Sequence, residues 1–150
     1  MSLPRLLEQQ CDRLQRLLQQ LEQEQAVLAE GKVDGERLQQ IAEDKRQLYE
    51  ELERAEQLRR QAQIKLGYSD DAAGAQQAAA QANCLPIWKQ FIDLADRTTR
   101  LNGLNGELIQ HRLHHNQHML NILRDATGGG SLYGADGSQQ RTPQRISSKA

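Results

Sequence analysis

The 150-residue chain is poor in the residues that build sheets, membrane spans and redox centres. Aromatics make up 3% of it, as Tyr49, Tyr68, Trp88, Phe91 and Tyr133. So few rings, set against 22 glutamines and an abundance of Leu, Glu, Arg and Ala, argue for long helices and against a β fold. There are two cysteines, Cys11 and Cys84, and their spacing makes no metal or redox pair. With no secretory signal ahead of them, a reduced, cytoplasmic chain is expected. No run approaches the ~18 apolar residues that a membrane span needs. A net charge of −1 gives no general electrostatic reason to bind nucleic acid or an anionic membrane. One domain with a core of its own is the expectation at this length.

What the chain does have is leucine at helical spacing. Leu7, Leu14, Leu21 and Leu28 recur every seventh residue over about 2–30, and Leu3, Leu17 and Leu18 widen the stripe. Ser2 is placed to cap this helix, Pro4 is tolerated in its first turn, and Gly31 marks its stop. The short loop Gly31-Lys32-Val33-Asp34-Gly35 requires the next helix to fold back antiparallel. That helix, about 36–66, carries Leu38, Ile41, Lys45, Leu48, Leu52, Ala55, Arg59, Ala62 and Leu66, alternately three and four apart. This is a heptad seam in which the stems of Lys45 and Arg59 are expected to lie along the core with their charges outside. Gly67 ends it. Ser69 is the expected cap of a short Ala- and Gln-rich helix or connector over 72–82, with two aspartates, Asp70 and Asp71, at its positive end.

The last helix is read from Pro86 to Ala126. Its apolar positions are Ile87, Phe91, Leu94, Leu101, Leu104, Leu108, Ile109, Leu113, Met119, Leu120, Ile122 and Leu123. At 1.5 Å per residue it is about 60 Å long, against about 45 Å for either partner, so its C-terminal half is expected to overhang the bundle. An apolar stripe with no intramolecular partner is a binding surface by default. The fold class is therefore all-α. The expected architecture is an elongated antiparallel bundle of three long helices with a short Ala-rich fourth helix or connector over residues 1–127. Leu14, Leu21, Leu48, Leu52, Leu94 and Leu101 form its core. Residues 128–150 are then expected to be a flexible, partner-binding tail. Three successive glycines, 128–130, cannot extend a helix, and the tail is too polar to fold alone. Its apolar island, Leu132-Tyr133-Gly134-Ala135-Asp136-Gly137, has no core to serve and suits capture by another protein.

Chemistry is sparse. His111, His114, His115 and His118 are the four histidines of the chain, and they share an arc of roughly 100° on one helix face. Their i,i+4 pairs could chelate a transition metal, although no glutamate stands at HExxH spacing. A solvated polar face and a pH-sensitive face are the competing readings. The glycines of 128–130 lack the lysine of a phosphate loop and follow a helix instead of preceding one. No triad can be assembled, and the carboxylates are scattered along exposed faces where pairing with Arg or Lys is their ordinary role. Asn102 and Asn105 flank the seam of the last helix, where one buried Asn would fix its register. No enzymatic activity and no cofactor are expected.

Taken together, two Leu-rich antiparallel helices, the Gly31-to-Gly35 turn, a variable connector and a long third helix resemble the FlgN family of flagellar export chaperones. The specific pieces are Asn102-Gly103-Leu104-Asn105-Gly106-Glu107-Leu108-Ile109 and Tyr133-Gly134-Ala135-Asp136-Gly137, where Ala135 replaces a proline of the family pattern. The resemblance covers essentially the whole chain. It implies a cytosolic chaperone that binds the hook–filament junction proteins FlgK and FlgL and escorts them to the type III export gate. By the same resemblance the substrate-binding residues are Leu113, Met119, Leu120, Ile122 and Leu123. Leu132, Tyr133, Gly134, Asp136 and Gly137 are then the elements that dock on the gate component FlhA. Two readings compete with it: a coiled-coil structural or self-associating module, and a metal-binding bundle built on His111, His114, His115 and His118.

Overall fold

A computed structural model describes residues 2–127. Among these, four helices run in the order α1 (Leu3–Leu28), α2 (Gly35–Lys65), α3 (Ala72–Gln81) and α4 (Leu85–Ala126), with no strand. The fold is all-α, as expected. The chain divides into two compact units, residues 1–108 and 109–150. The expected boundary at residue 127 and the tail beyond it lie at and outside the edge of the described residues.

The first unit is a helical bundle. Glu24 meets Lys45, Arg16 meets Glu51, and Gln10 meets Glu56, so α2 runs antiparallel to α1. Cys11 against Ile87 and Leu21 against Asn105 make α4 parallel to α1. The heptad leucines Leu7, Leu14, Leu21 and Leu28 are all buried, as are Leu48 and Leu94, while Leu52 and Leu101 pack half-buried against the same clusters. Leu66, at the end of the α2 seam, and Leu104 are exposed instead.

Local chemistry sets the helix ends. Ser2 accepts from the Arg5 N–H at 3.4 Å, with Pro4 in the first turn. Asp34 caps α2 through the Arg37 N–H at 3.2 Å. At the far end of α2, Gly67 takes φ +89°. Its N–H reaches the Ile64 carbonyl while that of Tyr68 reaches Gln63, a Schellman closure that only a left-handed residue allows. Asn83, φ +55°, does the same after α3.

The cap of α3 is Asp71, not Ser69. Asp71 Oδ1 accepts from the Gly74 N–H at 2.7 Å, and Ser69 Oγ donates to that same oxygen at 2.8 Å. The carboxylate wins because one oxygen serves both donors and carries charge at the positive helix end. Its pKa is held below the usual range mainly by the Gly74 N–H and then by Ser69. Bulk is not what pins α3. Ala75, Ala78 and Ala79 are buried against Leu3, Leu7, Cys84 and Trp88, and small side chains let the backbones approach. Gly74 shows how tight this is, since a Cβ there would stand 2.0 Å from the Ser69 carbonyl oxygen. Gly74→Ala is therefore expected to destabilise the fold by about 1–3 kcal/mol. Gly103→Ala and Gly106→Ala, which meet nothing within 4 Å on helix α4, should each stabilise it by about 0.5–1 kcal/mol. Urea titrations of the three variants check both signs.

Candidate partner-binding face

Two buried polar layers fix α4 in register with α1 and α2. In the first, Glu24 is 4% exposed and takes the Lys45 ammonium on both carboxylate oxygens at 3.0 Å. Asn105, 1% exposed, donates to Glu24 Oε1 at 2.9 Å and to the Leu21 carbonyl at 2.8 Å. One residue from each of three helices thus meets at a single carboxylate. In the second layer, Arg59 is buried with its guanidinium 5.2 Å over the Trp88 ring. It bonds Glu56 and donates to Gln63 Oε1 at 2.8 Å. Gln63 in turn donates to the carbonyls of Ser69 and Asp71, and Gln10 reaches Glu56 at 3.2 Å. The expectation that Lys45 and Arg59 hold their charges outside is corrected here. Both charges turn inward because a buried carboxylate and a ring face await them. Of the two candidate register residues, Asn105 is the buried one and Asn102 is exposed.

Glu24 and Gln10 were missed in sequence, yet the signal was present. Residues 3, 7, 10, 14, 17, 21, 24 and 28 alternate four and three apart, so both polar residues occupy seam positions. Thr98 and Asn105 interrupt the α4 seam 94, 98, 101, 105, 108 in the same way. Cys11 and Cys84 are buried, and burial pushes both thiols above their ordinary pKa, with Asp12 and Glu8 adding to the effect at Cys11. Such thiols are structural and unreactive.

From Ile109 onward α4 belongs to the second unit, and none of its described residues there is buried. Leu113, Met119, Leu120, Ile122 and Leu123 are each 44–56% exposed. At about 100° per residue, Ile109, Leu113, Leu120 and Leu123 fall within an arc of roughly 80°, with Met119 at its margin. Ile122 lies about 140° round from Ile109 and shares its side with the histidines. The four histidines are all exposed and face away from the apolar arc. No group of three or more His, Cys, Asp or Glu among the described residues stands ready to hold a metal ion. The helix closes at Thr127, whose hydroxyl donates to the carbonyls of Leu123 and Arg124 at 3.0 and 3.1 Å. Leu132, Tyr133, Gly134, Asp136 and Gly137 lie outside the described residues. Among the described residues no helix is long and apolar enough to cross a membrane.

Residues 1–141 match the family model described as FlgN protein. The chain is similar to the flagella synthesis protein FlgN of Proteus mirabilis, 29% identical over 141 residues, covering 94% of this chain and 92% of the relative. It is 31% identical over 135 residues to that of Yersinia enterocolitica serotype O:8, covering 87% and 84% of the two chains. For Salmonella typhimurium the identity is 30% over 135 residues, covering 90% and 88%. No solved structure matches it.

Proposed function

The chain belongs to the FlgN family, and from that premise we propose that it is a non-enzymatic, cytoplasmic export chaperone of flagellum assembly. Its substrates are hook–filament junction subunits of the FlgK and FlgL type, which it keeps unassembled and escorts to the type III export gate. The observation that carries this reading is the exposed apolar arc of α4. Leu113, Leu120 and Leu123, with Met119 beside them, form a helix face with no buried position among the described residues of its unit. A subunit with an amphipathic terminal helix would cover that face and its own stripe at once. Ile122, displaced round the helix, contacts the rim of such a partner. Titrating a FlgK-type subunit into the chain tests the reading. Saturable binding supports it, and absence of binding to both FlgK-type and FlgL-type subunits contradicts it.

Docking on the gate component FlhA is assigned to Leu132, Tyr133, Gly134, Asp136 and Gly137. The support is the sequence pattern: an aromatic ring between glycines, in a segment too polar to bury it. An aromatic anchor filling a pocket contributes about 2 kcal/mol or more, roughly thirtyfold in affinity. Tyr133→Ala is therefore expected to leave melting temperature and subunit capture unchanged while weakening docking of the loaded chaperone about thirtyfold. Titration of preloaded wild type and variant against the gate's cytoplasmic domain gives the answer, and equal affinities would remove Tyr133 from the mechanism.

A further inference from the structure

The four histidines of α4 are not used by the fold. All are exposed, and among the described residues none makes a hydrogen bond or ion pair. They form two interleaved pairs, His111 with His115 and His114 with His118. Within each pair the residues are about 6 Å apart along the axis and about 40° apart around it. That is the spacing at which two imidazoles on one helix converge on a single ion, each nitrogen about 2.0–2.1 Å from it. Asp125 lies on the same side of the helix, two turns after the pairs, and favours a cation there.

We propose that this face is a transition-metal site: each i,i+4 pair chelates one divalent ion of the copper, nickel or zinc class through two imidazoles, with water completing the coordination. Two ligands, not three, is what the geometry offers, in keeping with the absence of a larger donor group among the described residues. The pairs hold Cu²⁺ more tightly than Ni²⁺ or Zn²⁺, following the order for nitrogen ligands. Acid releases the ion, because imidazole ligates only when neutral.

Chelation has a structural consequence for this half of the helix. Residues 109–126 bury no side chain, and short helices without packing are marginal in water. An ion bridging i and i+4 binds only the helical form, so it stabilises that form by mass action. It therefore acts as a staple on the face opposite the apolar arc, holding that arc in the helical form. The site itself stands independently of the chaperone reading.

The test is calorimetric titration of the full chain with CuCl₂, NiCl₂ or ZnCl₂ in a non-coordinating buffer, alongside hydrogen exchange. Wild type should bind two ions per chain. His111→Ala with His115→Ala removes one pair and should halve the stoichiometry. His111→Ala with His118→Ala leaves only His114 and His115, which point apart, and should abolish binding. All the changed side chains are exposed, and unchanged circular dichroism of the metal-free variants verifies the fold. With metal at a hundredfold over its dissociation constant, exchange of the 109–126 amides should slow by up to about a hundredfold for each ion bound, most in wild type, less in the His111/His115 variant and not at all in the His111/His118 variant. If wild type binds no more metal than the His111/His118 variant, the site is refuted. Binding without slower exchange would refute the staple.

Discussion

Changing Leu120 and Leu123 together to aspartate is expected to abolish capture of the exported subunit proposed above while leaving the bundle folded. Both side chains are about half exposed and make no part of the described core, so their loss costs the first unit nothing. Each is an exposed apolar side chain on the proposed partner face. Removing two anchors and burying two carboxylates under the partner weakens binding by at least about a hundredfold. Aspartate near a helix C-terminus also opposes the macrodipole. The pair Leu120→Lys with Leu123→Lys is therefore a useful companion, since it complements the dipole yet should lose capture equally. Circular dichroism and a binding titration, run on both variants, separate lost fold from lost surface.

The largest effect on stability falls at the polar layer of Glu24, Lys45 and Asn105. Lys45→Met keeps the stem but leaves Glu24 as an uncompensated charge among three helices, and is expected to cost about 3–5 kcal/mol. Asn105→Ala removes donors to both Glu24 and the Leu21 carbonyl, at about 1–3 kcal/mol. Replacing Glu24, Lys45 and Asn105 together by Leu, Met and Leu removes the charges with their partners, and should recover most of the loss. Urea denaturation of the three variants reads these differences. If Lys45→Met alone were neutral, the buried pair would not be holding α1 to α2.

The contrast between these two sites shows what the sequence could convey. The heptad leucines of α1 are period and bulk together, and every one is buried. Glu24 shares that period but lacks the bulk, and only tertiary pairing with Lys45 and Asn105 explains its place. Arg59 likewise turned inward because Trp88, far away in sequence, offers a ring. The choice of Asp71 over Ser69 as the cap is local but was missed in sequence: Asp71 stands three residues before Gly74 and takes both the Gly74 N–H and the Ser69 hydroxyl on one oxygen. The exposed apolar arc of α4 was legible because it is a local property: apolar residues on one side of one helix. Its sharper outline, with Ile122 displaced from Leu113, Leu120 and Leu123, follows from the helix being continuous from Leu85 to Ala126.

The central claim is that the α4 face from Ile109 to Leu123 receives the exported subunit, and hydrogen–deuterium exchange of the full chain addresses it directly. Exchange is compared with and without saturating FlgK-type subunit. The account predicts strong new protection of amides in 109–126 and little change in α2. Protection confined to α2 or α3, with 109–126 exchanging as in the free chain, would contradict it.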